Sequence, residues 1–585
     1  MSNQANSPAG IAVRSASGSG LSVGRSHKSH KYAELHCHTN FSFLDGASHP
    51  EELVEEAYRL GLSALATTDH DGLYAVVRSA VAARTLGLPT VFGAELTLTS
   101  EGSDNSFGDN SFVQGSLSHK SALDNSADPH GAHLLVLAEG VSGYSALSRA
   151  ISEAQMRGSK GAPISTLSDL ALSPAAGSSW FVLTGCRKGT VPSALINEGP
   201  AAARSALERL VSDFGRDRVF VELWDHGDPL DRPRNDALSE IASRAGVEVV
   251  ATNNVHYATP ADHRLATALA AVRARRSLDE MDGWLPAAPF AHLRSPGEQA
   301  RRFARYPGAV ERTVEIAEAA AFDLRIAVPN LPDYPVPDGH DEMSWLRVLT
   351  THGAAVKYPS THPQYGEAMR QIDYELSVID QMGFPGYFLL LHDIVEFCRR
   401  QDIYCQGRGS AANSAVCYAL GVTKADAVAL GLLFERFLST ERDGPPDIDL
   451  DIEHQRREEV IQYVYERYGR DRAAQVANVI TYRSRSALRD MAKACGLSPG
   501  HADALTRQLD RRRSGEDAFA ALASGEDGAP APPLVLELAT AVRNFPRHLG
   551  IHSGGMVMAD RPLIECCPVE WARMEGRSDE CYLNH

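Results

Sequence analysis

The sequence predicts a multidomain α/β protein, and three observations carry that expectation. At 585 residues the chain is too long for one hydrophobic core. In its first part, short apolar runs alternate with helical patterns, which reads as strands and helices in turn. A second α/β unit follows around Tyr387–Asp451, after the chain has become helix-rich from about residue 290. Hydrophobic residues make up 43% and charged residues 22%, the composition of a globular chain.

Residues 1–30 are rich in Ser, Gly and Ala and poor in large apolar residues, so a disordered tail is expected. A short strand runs from Ala33 to His38. Ser48-His49-Pro50-Glu51 reads as a capping box with an early proline, opening a helix over Glu51–Leu60 that Gly61 ends. Further strands are expected at Ala64–Thr67, Thr90–Leu98, His133–Ala138, Trp180–Thr184, Val219–Leu223 and Val247–Thr252. Their alternation with helices points to a barrel-like unit. Residues 99–131, dominated by Ser, Asn, Asp and Gly, read as a long surface insertion. A charged helical stretch is expected over 452–510 and a polar, Ala/Pro/Gly-rich loop over 511–533. No repeat array is present.

No run of about 18 apolar residues occurs and the N-terminus lacks an apolar signal core, so a cytoplasmic protein with no membrane span is expected. The nine cysteines form no paired CxxC framework and read as reduced thiols. A formal net charge of −17 argues against a surface that is basic all over. It leaves room for a local basic groove and for carboxylates that bind metal ions.

Chemistry-bearing residues fall into two constellations. In the first, His36-Cys37-His38 sets two imidazoles two residues apart, and on a strand such residues share a face and can reach one metal. Asp45 follows. His70 comes after the second expected strand and Glu95 lies in the third. His133 opens another, Cys186 follows the next, and Asn254 and His256 close the series. A single histidine is more often a core or surface residue. Several at strand ends, from separate βα units, suit a site at the mouth of a barrel.

These residues resemble the PHP family of metal-dependent phosphoesterases. Its opening HxH followed by Asp-Gly matches His36, His38 and Asp45-Gly46, and its later ligand positions match His70, Glu95, His133, Cys186 and His256. At the eighth of nine ligand positions, where the family usually has Asp, this chain has Asn254, a neutral and weaker ligand. The resemblance covers about 31–290. It implies a (β/α) barrel holding up to three divalent metals, often Zn²⁺ or Mn²⁺, and either 3′–5′ phosphodiester hydrolysis or a metal-stabilised structural role. Asn254 favours the structural role.

In the second constellation, Gly407-Arg408-Gly409-Ser410-Ala411-Ala412 precedes a helical stretch from about Asn413 to Leu420. Glycines let backbone amides approach phosphate, a helix N-terminus favours an anion, and Arg408 adds charge. Alone such a loop is weak evidence. In Pro445-Pro446-Asp447-Ile448-Asp449-Leu450-Asp451, strand alternation puts three carboxylates on one face and Ile448 and Leu450 on the other. Crowded like charges repel unless a cation joins them. A glycine-serine loop followed by a DxD strand is the layout of a nucleotidyltransferase palm, in which two Mg²⁺ ions serve phosphoryl transfer.

The surrounding runs resemble the catalytic alpha subunit family of bacterial DNA polymerase III, the C-family DNA polymerases. They are Gly383 to Phe388, the segment 407–414, Leu433 to Leu438, Pro446 to Asp451, and His552-Ser553-Gly554-Gly555. With the PHP part, the resemblance covers 31 to about 577. The opening His-Cys-His-Thr-Asn-Phe-Ser-Phe-Leu-Asp-Gly and the run Asn253 to Tyr257 point to the error-prone, damage-inducible branch. The resemblance implies a tail at 1–30, a PHP domain at 31–290, a first part of the palm at 291–478, a helical thumb at 479–555 and a palm return at 556–585. It makes Asp447 and Asp449 the catalytic Mg²⁺ ligands. Arg408, Gly409, Ser410 and Arg436 become nucleotide-binding residues. Arg483, Arg485 and Arg489, and the run Arg511 to Arg513, are candidate DNA contacts. The implied partners are primed template DNA, dNTPs, a sliding clamp and mutasome accessory proteins.

The family's third catalytic Asp and its clamp-binding and single-strand-binding regions have no match before His585, so a truncated chain with little polymerase activity of its own is expected. Three functions remain open: an error-prone DNA polymerase, a PHP phosphoesterase or exonuclease, and a non-catalytic binder of DNA or partner proteins.

Overall fold

Seven strands lie side by side in chain order and form the sheet of the first unit: β1 (Ala33–Glu34), β2 (Ala64–Thr67), β3 (Thr90–Leu98), β4 (Ala132–Ala138), β5 (Trp180–Leu183), β6 (Val219–Leu223) and β7 (Glu248–Ala251). The computed structural model describes residues 30–99, 131–282, 285–286, 288–436, 438, 448–509, 516–525, 530–572 and 580–581. The expected tail (but for residue 30) and nearly all of the 99–131 insertion lie outside the described residues.

The strands read as apolar runs because both faces are covered. One face gathers residues from β1 to β7, among them Leu35, Ala66, Val91, Leu135, Leu137, Leu183, Phe220 and Val250, against Ile316, Ala317 and Ala320 of helix Glu311–Ala320. The alternate residues Phe92, Leu134, Val136, Val182 and Val221 pack under the other helices. The sheet curls until its two edges meet just beyond β1 and β7, where the Val255 N–H donates to the His36 carbonyl and the His38 N–H to the Val255 carbonyl, both at 2.8 Å.

Strand β4 runs antiparallel to both β3 and β5, while the other neighbours are parallel. The approach of β3 to β4 depends on Gly93, where a Cβ would lie 2.4 Å from the Val136 carbonyl oxygen. The helix before β2 runs Pro50–Leu60, with Pro50 in its first turn and Gly61 as a left-handed cap, φ 75°. Its capping pair differs from the Ser48/Glu51 reading. His49 is the cap and Glu52 accepts the His49 N–H at 2.7 Å, whereas Glu51 is drawn off to Arg78 and the Ser48 hydroxyl accepts from the Ala258 N–H.

The second unit is built on helices Glu342–Lys357, Tyr365–Gln381 and Pro385–Arg400 around one apolar cluster that includes Leu346, Ile379, Phe388 and Val416. Strands β8 (Cys405–Arg408) and β9 (Asp449–Ile452) pair antiparallel beside it. A third sheet has the order β11-β10-β13-β12, from β10 (Ala473–Thr481), β11 (Pro546–Met558), β12 (Val569–Glu570) and β13 (Glu580–Cys581).

Three further expectations need correcting. The stretch 452–510 is not helical throughout, because β10 interrupts it; Ala473–Ala477 is a buried run, apolar but for Gln475, that pairs with β11. Within 511–533, expected as loop, Glu516–Ser524 is a helix, its Ala518, Phe519 and Leu522 buried at near-helical spacing. Cys567 is not a reduced thiol but is disulfide-bonded, while seven other cysteines are free.

Helices Ser484–Ala494, Pro499–Gln508, Glu516–Ser524 and Pro533–Ala541 come between β10 and β11. Their core is continuous with the first unit: Leu488, Met491, Val535 and Leu538 cluster with Leu265 and Leu269 of helix His263–Ala274. Among the described residues no helix is long and apolar enough to cross a membrane.

Candidate metal centre and phosphate loop

Glu95 is the hub of the first constellation. Its carboxylate lies 3.5 Å from His36 Nε2, 3.5 Å from His38 Nε2, 3.3 Å from His70 Nδ1, 3.2 Å from His133 Nδ1 and 3.6 Å from Cys186 Sγ. A second carboxylate, Asp45, lies 2.9 Å from His70 Nε2, 3.3 Å from His256 Nδ1 and 2.7 Å from Arg273 Nη1. Asn254 lines the same cavity of about 200 Å³ as Asp45, Cys186 and His256. All nine positions singled out in the sequence therefore come together. The reversal of β4 matters here: His133 stands at the beginning of its strand, and only an antiparallel strand brings its beginning beside the Glu95 segment of β3.

The donor chemistry fits divalent cations. The Nε2 atoms of His36 and His38 face each other at 3.2 Å, and two imidazoles so placed cannot both present a proton there. Three groups have ligand atoms within 4.8 Å of one another: His36, His38 and Glu95; His38, Asp45 and His70; His70, Glu95 and His133. Imidazole, carboxylate and thiolate together suit first-row transition metals. Asn254, at φ 41° in the left-handed region that Asn tolerates, has a buried side-chain oxygen with no hydrogen-bond partner.

Electrostatics follows the packing. Burial favours a neutral His36, but Glu222 and Glu95 outweigh it and its pKa is raised. Burial, with His70 and His256 nearby, drives the His38 pKa well down. Burial opposes ionisation of Glu95, yet His133 and His36 hold its carboxyl well below the usual range. Arg273 and His256 overcome burial in the same way at Asp45.

Sequence reasoning missed several residues that shape this site. Glu222, fully buried, takes His36 Nδ1 at 2.7 Å and the Thr252 hydroxyl hydrogen bond. Its signal was available, as the one charged residue in an apolar strand. Asp69 orders the loop after β1 by accepting from the Thr39 N–H and the Ser42 hydroxyl, each at 2.7 Å. Arg273, on the later helix His263–Ala274, offered no signal at all.

In the second constellation the register sets Arg408 opposite Asp449. The Arg408 guanidinium lies 3.3 Å from Asp449 and 3.4 Å from Asp451, and all three side chains are well exposed. Ile448 and Leu450 turn toward the apolar cluster of the second unit, as the alternation predicts. Gly409 has φ 63° and opens the 3₁₀ turn Gly409–Asn413 that carries Ser410; the helix that follows is Ala415–Ala419, shorter than the Asn413–Leu420 reading. The turn's exit is fixed by a residue the sequence did not suggest. Buried Glu375 accepts from the Ser414 hydroxyl at 2.7 Å and from the Ala415 and Val416 N–H groups at 3.0 Å.

Arg436 lies in the 3₁₀ turn Phe434–Arg436, and Asp447 lies outside the described residues, as do Arg511, Arg512 and Arg513. Arg489 pairs loosely with Asp503 at 3.9 Å and Arg483 reaches Asn544 at 3.3 Å. His552 Nδ1 accepts from the Gly554 and Gly555 N–H groups.

Residues 34–226 match the PHP domain family, and residues 344–582 match the family described as bacterial DNA polymerase III alpha NTPase domain. The chain is 56% identical over 550 residues to an error-prone DNA polymerase of Mycobacterium tuberculosis, covering 94% of this chain and 47% of that protein. It is 54% identical over 570 residues to an error-prone DNA polymerase of Nocardia farcinica, covering 94% and 49%. A third, from Cutibacterium acnes, is 51% identical over 549 residues, covering 94% and 46%. The chain thus spans about half the length of the curated relatives it matches.

Proposed function

We propose that the chain belongs to the bacterial C-family DNA polymerases, in their error-prone branch, and that it acts as a DNA-directed DNA polymerase of error-prone type. The reaction is nucleotidyl transfer from a dNTP to the 3′-hydroxyl of a primer on damaged template, in DNA repair and induced mutagenesis. The observation that carries it is identity of 56% across 94% of the chain to curated error-prone DNA polymerases. We assign 31–290 to the PHP unit, 291–478 to the first part of the palm, 479–555 to the thumb and 556–585 to the palm return.

In this reading the Gly409–Ser410 turn receives the triphosphate. Its backbone amides face the anion, and the positive φ of Gly409 turns the chain from β8 into the 3₁₀ turn. Arg408, held by Asp449 and Asp451, is positioned to trade that pairing for phosphate oxygens, and Arg436 adds a further cation. Asp449 and Asp447 would hold two Mg²⁺, which when bound lower the pKa of the primer hydroxyl and stabilise the departing pyrophosphate. Template, primer and dNTPs are the proposed substrates, with a sliding clamp and mutasome proteins as partners by family resemblance.

Convergence of the nine-residue cluster favours a second reading, metal-dependent phosphoester hydrolysis at the barrel site with Zn²⁺ or Mn²⁺. Here Glu222 and Asp69 orient the ligands from behind, while Arg187 and Arg234 line the adjoining cavity, where they could meet a phosphate.

Primer extension with Mg²⁺ or Mn²⁺ separates the two. Incorporation that is lost in Asp449→Ala and retained in His36→Ala supports the polymerase reading. Incorporation that survives Asp449→Ala refutes the assignment of the palm. Primer shortening that His36→Ala abolishes supports the second reading.

A further inference from the structure

We propose that Arg273 takes the place of one metal ion in the barrel site, so that this centre holds two divalent cations where the related family holds up to three. The inference rests on the reading of the nine-residue cluster as a metal centre and concerns what this chain's own residues do to it.

The argument is one of charge and position. Of the nine residues, only Asp45, Glu95 and Cys186 can supply negative charge. The position where the related family usually brings a further carboxylate is Asn254, which is neutral. Glu95 is surrounded by His36, His38, His70, His133 and Cys186, so it and the thiol serve the two groups that share it. Asp45 is the one anion of the remaining group, with His38 and His70 and with His256 beside it.

That anion is already answered. Arg273 Nη1 sits 2.7 Å from Asp45 Oδ1, while Oδ2 faces His70 Nε2 and His256 Nδ1. The pair is well buried: the Asp45 side chain is 6% exposed and that of Arg273 is 17% exposed. A guanidinium cannot be deprotonated in a protein, so this positive charge is permanent. A dication bound to Asp45, His70 and His256 would stand against it, and none of the others among the nine residues brings a further carboxylate to this group. The arginine comes from helix His263–Ala274, which is anchored through Leu265 and Leu269 in the core shared with the helical cluster. Its position is therefore fixed by packing as well as by Asp45.

The test is metal content per chain. The full chain is loaded separately with Zn²⁺ and Mn²⁺, freed of loosely held ions and measured by elemental mass spectrometry. The unmodified chain should hold two equivalents. Arg273→Met removes the charge at similar length and should gain a third, and Arg273→Lys keeps the charge and should stay at two. Asp45→Asn placed on Arg273→Met should lose the third again, and circular dichroism checks that each variant is folded. Three equivalents in the unmodified chain, or two in a folded Arg273→Met, would overturn the proposal. An unmodified chain that holds no metal, with or without His36→Ala, would overturn the metal reading itself and this inference with it.

Discussion

Glu375 shows how much a single buried carboxylate can organise. It terminates three hydrogen bonds from the start of helix Ala415–Ala419 and receives a fourth from Gln371, so it holds the exit of the Gly409–Asn413 turn from 39 to 41 positions away in sequence. Glu375→Gln keeps the shape but turns an amide donor toward N–H groups, and should destabilise the fold by about 1–3 kcal/mol in urea unfolding. The pH dependence has a definite sign. Burial holds the Glu375 pKa above its ordinary 4.5, so the folded chain binds this proton more tightly than the unfolded chain. That contribution is complete below pH 4.5 and fades as pH rises through the folded-state value. The stability gap between the unmodified chain and Glu375→Gln should accordingly narrow as pH rises; a gap that widens would contradict the assignment. At this scale the sequence revealed the candidate ligand types, since His36, His38, Glu95 and Cys186 declare their chemistry. It did not reveal Glu375 or Arg273, whose roles depend on what folds against them.

The elements were legible where local rules dominate. Strands β2, β3 and β6 begin and end where the apolar runs do, and the DxD strand alternates as its pattern requires. Reading failed where a strand is paired by a distant partner: β10, inside a charged stretch, is held by β11 more than sixty residues later. Strand β8 passes into the 3₁₀ turn Gly409–Asn413 through a left-handed residue, Gly409, φ 63°. No atom stands within 4 Å of where its Cβ would lie, so substitution is limited by backbone conformation and not by space. Gly409→Val should cost on the order of 1–2 kcal/mol in local stability and weaken dNTP binding, read by equilibrium titration, while the metal content of the barrel site stays unchanged. Undiminished dNTP binding would remove the loop from the nucleotide site.

In the whole molecule, the cluster that joins Ala47, Tyr257, Leu265 and Leu269 to Leu488, Met491, Val535 and Leu538 makes the barrel unit and the helices after β10 share one core. Leu269, 1% exposed, sits inside it. Leu269→Ala should cost about 2–5 kcal/mol, and calorimetry should show both parts losing stability together; a melt in which only one part shifts would mean that the two fold independently. The segment around β12 is tied back as well, since the Trp571 indole donates to the Met156 carbonyl and the Val569 N–H to the Ser152 hydroxyl of helix Gly140–Arg157. The sequence alone determined the α/β character, the strand runs, the two constellations and the family they resemble, because residue type and short-range spacing carry that information. Tertiary structure alone decided that β4 reverses to bring His133 beside Glu95, that Arg273 closes on Asp45, and that the barrel and the helical cluster share a core. Those contacts join residues far apart in the chain, and they arise from the closure of the sheet and the packing of helices around it.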